Sequence, residues 1–486
     1  MTDIEQIFFE GQCKRETSDC KSPEHLNTST MSEESQACLN SAECSLSSIF
    51  YQLIRVAIGT QETLSRSPSA DEWGELYAMA KKQSLVGICF AAVQRLTGVK
   101  DSIHHTPYTI HLPEVLYLTW LGMAVKIQQR NEVINQQCAV LGKRLEVKGY
   151  RYAILKGQGV ASLYQISSEG LEVRGLSGLR QSGDIDVWVL DKSIPELVEY
   201  VKGLGVSYKA TAAHVECQLF DDTDVELHSV PAFMRNFHTN RKLVQWFNRS
   251  EGSIVESNLG FYVPSVEFNL VYMMVHMYHH VLFEGLGLRQ LMDYYFVLRQ
   301  FQKVSEFQRV SSGEDLTKTI KTPEGSASAC DDEIKSQLSS SSSQTSADSN
   351  AVGLDPSGKK QQKQLSIPSV LAVLDSLGMK RFAQGIMWII AHVFANDNSD
   401  DNDNFFLGIE SNEKVGRLLL DEIMTGGNFG HYDEKNKGLH GGTAIGRSLC
   451  GLKRNMKFFS LAPWEILCSP LWSTWHWYWR KKREYI

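Results

Sequence analysis

The stretch that decides the fold is Arg180-Gln181-Ser182-Gly183-Asp184-Ile185-Asp186-Val187-Trp188-Val189. A side-chain period of two sets Asp184 and Asp186 on one side and Ile185 and Val187 on the other, which predicts a strand over 184–190. Upstream, the apolar run 152–155 reads as a short strand that stops at Lys156-Gly157, with a short helix over 158–164. Downstream, 194–204 has a helical pattern and 206–210 a strand pattern. The strands 214–220 and 225–230 then flank Asp221-Asp222-Thr223-Asp224, a sequence suited to a hairpin turn. Strand, helix, strand, helix, strand and hairpin make a small mixed sheet.

Helical periodicity holds on both sides of this sheet. Before it, Trp73, Leu76, Tyr77 and Ala80 recur at three- and four-residue intervals behind Asp71-Glu72. A second long pattern opens at Pro113-Glu114, a proline suited to a helix start, and runs to about 147. After Pro264-Ser265 the helical period returns through 298 and on to 307, and it resumes at Pro368. The expected class is therefore α+β, a small mixed sheet embedded between helical regions. The divisions expected are an extension at 1–45, a helical region at 46–148, the sheet at 149–262, a helical region at 263–308 and another at 367–486. Between the last two, 309–366 is rich in Ser, Lys and Gln with almost no apolar residue, and reads as a disordered insertion. The segment 1–45, rich in Ser, Thr, Glu and Cys with little hydrophobic periodicity, reads as a disordered extension, and 396–404 is an Asn/Asp loop.

Paired carboxylates on one strand, with a third on a neighbour, can hold two divalent cations that clamp an attacking and a leaving oxygen. Asp184 and Asp186 supply the pair, and Glu226 supplies the third carboxylate or takes a proton from the attacking hydroxyl. Lys156-Gly157 lies where a strand gives way to a helix, so free N–H groups and the helix dipole can attract phosphate. Arg180 adds positive charge against a triphosphate. An isolated Asp-x-Asp is commonly a solvated strand face. The order Lys-Gly, Arg-x-x-Gly-Asp-x-Asp, Glu-x-His makes the pair specific.

The runs AILKGQGVASLY, RQSGDIDVWV and VELH resemble the polymerase-β-type nucleotidyltransferase superfamily. Within it the chain is similar to an uncharacterised bacterial nucleotidyltransferase family. LYAMAKKQSLVGICF, HMYHHVLFEGLGLRQLMDYY and GGNFGHYD, with the aromatic and basic end, also resemble that family. The resemblance implies Asp184, Asp186 and Glu226 as catalytic metal ligands. It implies Gly157 as the phosphate-loop glycine and leaves the family's own reaction unassigned. From their chemistry and position, Lys156, Arg180, Gly183 and Arg289 join Gly157 as expected nucleotide- and phosphate-binding residues. The site is expected to use two Mg²⁺ ions, with Mn²⁺ as a substitute, and an NTP such as ATP as donor. The acceptor would be a hydroxyl of a small molecule, a sugar intermediate or a protein. The superfamily usually has Gly-Ser after its first strand; this chain has Lys-Gly, and 26 residues separate Gly157 from Asp184. The alternative from another class is a non-catalytic nucleotide sensor or scaffold.

Net charge is −7 over 486 residues, a balance that argues against long nucleic acid as substrate. Ten scattered cysteines without a C-x-x-C pair fit reduced thiols and a cytoplasmic setting. The apolar run 386–395 falls well short of the roughly 20 residues a bilayer span needs. His276, His279 and His280 share a predicted helix and read foremost as packed or hydrogen-bonded core histidines. Arg289 and Asp293, at i and i+4, read as a helix-surface ion pair or place Arg289 toward the nucleotide. Gly426–Gly430 reads as a helix cap or as lining for the acceptor pocket. Five of the ten tryptophans fall after 463, followed by Arg480-Lys481-Lys482-Arg483. A stripe of Trp472, Trp475 and Trp479 would pack on the body or lie on the inner face of a membrane.

Overall fold

The structure is a computed structural model that describes residues 33–97, 112–164, 167–168, 171–172, 175–250, 253–311, 367–395, 409–430, 432 and 454–485. The expected insertion beyond 311 and the Asn/Asp loop 396–404 lie outside these residues. The chain divides into two compact units, Met1–Ser47 and Ser48–Ile486. In the first, the described residues are the opening turns of α1 (Glu33–Ile58).

Within the second unit, α2 (Ala70–Lys82) is opened by Ser69, whose side chain accepts from the Glu72 N–H while Glu72 returns the bond. This reciprocal cap satisfies two N–H groups that a helix start leaves free. The segments α3 (Val86–Leu96) and α4 (Glu114–Val147) lead to the sheet, with Pro113 at the N-cap of α4. The sheet is built from β1 (Tyr152–Ile154), β4 (Ile185–Val189), β5 (Tyr208–Ala210), β6 (His214–Phe220) and β7 (Thr223–His228). Between β1 and β4 come α5 (Lys156–Ala161), a two-stranded ribbon of β2 (Ser167–Ser168) and β3 (Leu171–Glu172), and α6 (Leu176–Leu179). Helix α7 (Ile194–Gly203) connects β4 to β5.

Strand order is β1-β4-β7-β6-β5, and all pairs are antiparallel except β4 with β7. Ile185, Val187, Val189, Val215, Val225 and Leu227 point to one face and are packed under Ile134, Leu141 and Leu145 of α4 and Leu197 and Val201 of α7. Each fully buried side chain of this size contributes about 1.5–3 kcal/mol. The opposite face meets α8 (Phe237–Arg249) and α9 (Val266–Phe283), where Trp188 stacks on Phe268 at 5.4 Å. A second ribbon, β8 (Ile254–Glu256) with β9 (Tyr262–Pro264), joins α8 to α9.

Helix α9 and the first half of α10 (Leu288–Ser311), through Leu298, are buried nearly all round and form the interior of the helical part. Further helices among the described residues include α11 (Ile367–Ser376), α12 (Lys380–Phe394), α13 (Glu413–Gly426) and α14 (Pro463–Lys482). Among the described residues, no helix is long and apolar enough to cross a membrane. The run 386–395 is core instead, with Ile386, Ile389, Ile390, Val393 and Phe394 fully buried.

Two glycines give opposite expectations for the same substitution. A Cβ at Gly159 would fall 2.3 Å from the Ile154 carbonyl oxygen, so α5 can approach β1 only without a side chain there. Gly74 in α2 has nothing within 4 Å of its Cβ position. Gly159→Ala is expected to lower stability by about 1–3 kcal/mol. Gly74→Ala is expected to raise it by about 0.5–1 kcal/mol. Thermal melts followed by circular dichroism would separate the two signs.

Candidate active site

Parallel pairing of β4 with β7 sets Asp186 beside Glu226. Alternation turns both side chains, with His228, to the face away from Ile185 and Val187. Asp186 is 2 % exposed, while Asp184, one residue ahead of the strand, is open to solvent. One oxygen from each of Asp184, Asp186 and Glu226 lies within 4.8 Å of the others. Three hard oxygen donors this close fit Mg²⁺ or Mn²⁺.

The chain reaches this cluster a second time through Leu155, whose N–H donates to the Asp186 carbonyl oxygen at 2.8 Å. It then turns through two successive positive φ angles, 25° at Lys156 and 37° at Gly157. Glycine adopts such angles freely; for lysine the left-handed region costs about 1–2 kcal/mol. That turn brings Lys156 Nζ to 3.0 Å from Asp186 Oδ1. Burial works to lower the lysine pKa, but the charges of Asp186 and Asp184 prevail and hold it well above its ordinary value. Helix α5 has only six residues and is non-helical at Gly157. What this turn offers a phosphate is therefore backbone and an ammonium, with little from a helix dipole.

His228 Nε2 stands 3.1 Å from both Asp186 Oδ1 and Glu226 Oε2. Its cross-strand partner is His214, whose Nδ1 lies 3.9 Å from Glu226 Oε2. Burial opposes a charge on His228, yet the adjoining carboxylates of Asp186 and Glu226 raise its pKa to about 9. Burial, helped by the neighbouring His228, lowers His214 to about 4. Glu226 would be raised by burial, but the His228 hydrogen bond and the charges of His214, His228 and Lys156 bring it down to about 2.

These groups open onto a cavity of about 220 Å³ whose far wall is α9 with Glu284. The wall carries His276, His279 and His280. A hydrogen bond within the helix is present, with His276 Nε2 3.0 Å from His280 Nε2, and His280 Nδ1 stands 2.8 Å from a Glu284 carboxylate oxygen. The same three residues also face the cavity, which their helical spacing alone does not reveal. Burial lowers the pKa of both His276 and His279.

A smaller pocket behind Asp184 is walled by Lys156, Gly157, Gly183, Arg180 and Arg289. Arg180 donates from Nε and Nη2 to the Asp293 carboxylate at 2.6 and 2.7 Å, and Tyr164 donates to the same group. Its charge is thus already matched inside the protein. Arg289 and Asp293 are both buried rather than on a helix surface. Arg289 Nη1 donates to the Gln181 carbonyl oxygen at 2.8 Å. Burial and the charge of Arg180 lower the Arg289 pKa to about 10, which leaves it cationic at neutral pH. At the end of α13, the Gly427 N–H caps the Ile423 carbonyl, and Asn428 packs on Gly287. Neither cavity is lined by 426–430.

The sequence leaves His214 unassigned and pairs Asp293 with Arg289, whereas its carboxylate accepts from Arg180. The hairpin register that brings His214 to His228 was the available signal for the first. A small mixed sheet with Asp-x-Asp at the head of one strand and a glutamate on its parallel neighbour defines a nucleotidyltransferase-like fold. The chain belongs to the family described as "Uncharacterised nucleotidyltransferase", whose model matches residues 69–314. Comparison with curated proteins gives no match.

Asp293→Asn would leave the buried Arg180 guanidinium without its counter-charge. Breaking such a pair costs about 3–5 kcal/mol. Urea denaturation of the variant is expected to show a midpoint lowered accordingly.

Proposed function

We propose that the protein moves a nucleoside monophosphate from an NTP to a hydroxyl acceptor and releases pyrophosphate. The observation that carries this reading is the closeness of Asp184, Asp186 and Glu226, with Asp184 and Glu226 lining the cavity and Asp186 the smaller pocket beside it. Divalent ions held there would neutralise the transferring phosphate and clamp the attacking and leaving oxygens. Glu226, with its pKa near 2, is suited to ligation rather than to accepting a proton. Lys156, Gly157, Gly183 and Arg289 present positive charge and open backbone to the triphosphate. Arg180 acts one step back, by fixing Asp293 and the pocket wall. The cavity bounded by His276, His279 and Glu284 takes the acceptor, and the acidic net charge favours a small molecule, a sugar intermediate or a protein.

Incubation with α-labelled NTPs and Mg²⁺ tests the reading. The wild type is expected to transfer label and release pyrophosphate, and chelation of the metal to stop both. Asp184→Ala with Asp186→Ala should reduce turnover by at least the roughly 10²–10³-fold that loss of one charge-stabilising group costs. Equal pyrophosphate release in both proteins would overturn the reading. Binding of NTP without turnover would favour the sensor, and orthophosphate release a phosphohydrolase.

We further infer that α14 rests on an anionic membrane surface. Trp464, Leu467, Leu471, Trp475 and Tyr478 share one side of the helix, and Trp464 is 70 % and Leu471 65 % exposed. The other side is occupied, since Trp472 stacks on Phe233 at 4.9 Å and His476 accepts from the Ala212 N–H at 3.2 Å. Arg480, Lys481, Lys482 and Arg483 end the helix, and their charge complements anionic headgroups. Co-sedimentation is expected with phosphatidylcholine–phosphatidylglycerol vesicles and not with phosphatidylcholine alone. Trp464→Glu with Leu471→Glu should abolish it. Lys481→Ala with Lys482→Ala should weaken it about 30-fold, at ~1 kcal/mol per basic residue. Equal sedimentation of the Glu variant, or its conversion of a dimer to a monomer, would refute the membrane assignment.

A further inference from the structure

Glu226 faces two ligand sets at once. On the β4 side lie the oxygens of Asp184 and Asp186. Across the ladder on β6 stands the His214 imidazole and along β7 itself the His228 imidazole, and one ligand atom from each of His214, Glu226 and His228 falls within 4.8 Å of the others. Both histidines stand at strand positions fixed by cross-strand pairing, so the set is held by the sheet and not by a loop. His228 Nε2 carries at most one proton, yet it faces two carboxylates at 3.1 Å. One hydrogen cannot align with both; a metal ion bound at that nitrogen can meet a carboxylate oxygen and His214 together.

We propose that His214, Glu226 and His228 form a second cation site, selective for a borderline ion of the Zn²⁺ class and joined to the Asp184–Asp186 site through Glu226. Imidazole nitrogen suits zinc-class ions, whereas Mg²⁺ prefers an all-oxygen shell. Three protein donors beside a cavity leave a coordination position open, the arrangement of reactive rather than structural zinc. The adjoining 220 Å³ cavity supplies that open side. The paired histidines of α9 are not part of the set, since His280 is turned to Glu284 and His276 to His280. The inference concerns ion binding by these residues and stands apart from whether nucleotidyl transfer occurs.

The test titrates Co²⁺, a spectroscopic substitute for Zn²⁺, into metal-free full-length protein and follows its visible absorption. A saturable band that Zn²⁺ displaces and excess Mg²⁺ does not is expected. His214→Ala should weaken Co²⁺ binding by at least the roughly 10–100-fold that loss of even an outer-shell partner costs a metal site. Asp184→Asn should keep the Co²⁺ band while weakening Mn²⁺ binding measured by titration calorimetry. Circular dichroism checks the fold of each variant, and His214→Gln serves where the alanine variant does not fold. Absence of the band, wild-type Co²⁺ affinity in both His214 variants, or loss of the band in His276→Ala instead would overturn the proposal.

Discussion

Three carboxylates crowded on one face of a five-stranded sheet repel one another, and most of the local structure answers that repulsion. Two unit charges 4 Å apart interact by about 4 kcal/mol at an effective dielectric of 20. The parallel pairing of β4 with β7 sets Asp186 beside Glu226 and leaves no room to relax sideways. Lys156 and His228 offset the charge from two directions. The strained turn at Lys156-Gly157 follows from the same need, because an ordinary helical entry would not aim Lys156 at Asp186. A divalent ion would supply what these cations supply now, so charge balance and cation binding are two faces of one arrangement.

The opposite side of the sheet is conventional, and that side was legible. Alternation of Ile185 and Val187 with Asp184 and Asp186 identified β4, and β6 spans the residues its pattern predicted. Helix α8 is different. The sequence reading places no element between 230 and 264, yet 237–249 is helical, capped by Asn236 and holding only Leu243 and Phe247 in the core. Two buried positions in thirteen give too little periodicity to outweigh a polar composition. Cation partners were harder still. Arg180 looked like a phosphate ligand because it precedes Asp184 by four residues, but its partner, Asp293, comes from α10, over a hundred residues on. Long-range ion pairs leave no local pattern. The α9 histidines failed to declare themselves for a related reason, since a helix carries the same spacing whether it faces a core or a cavity.

Helix α14 serves two surfaces. Its inward side holds Phe233, a residue of the cavity wall, through the ring of Trp472, and Arg235 lies 3.4 Å over the Phe283 ring nearby. Glu465 accepts from the backbone N–H groups of Arg235 and Asn236. The segment after β7 is thus clamped by the end of the chain, and the cavity is shaped by residues far from the strands that carry the carboxylates. Its outward side exposes the apolar ridge.

The hairpin of β6 and β7 contains a one-residue irregularity between Cys217 and Phe220. Near the turn Phe220 pairs with Thr223, whereas beyond the irregularity Cys217 pairs with Val225 and His214 with His228. Had the first register continued, Val215 would stand opposite His228 and the His214 imidazole would point to the other face. The bulge therefore acts as a selector for the donor beside Glu226. Lengthening or shortening this hairpin by one residue exchanges nitrogen for hydrocarbon at that place without changing a single side chain on β4 or β7. Chemical identity at the site is encoded partly in loop length, a variable that substitution scans of the acidic residues never sample.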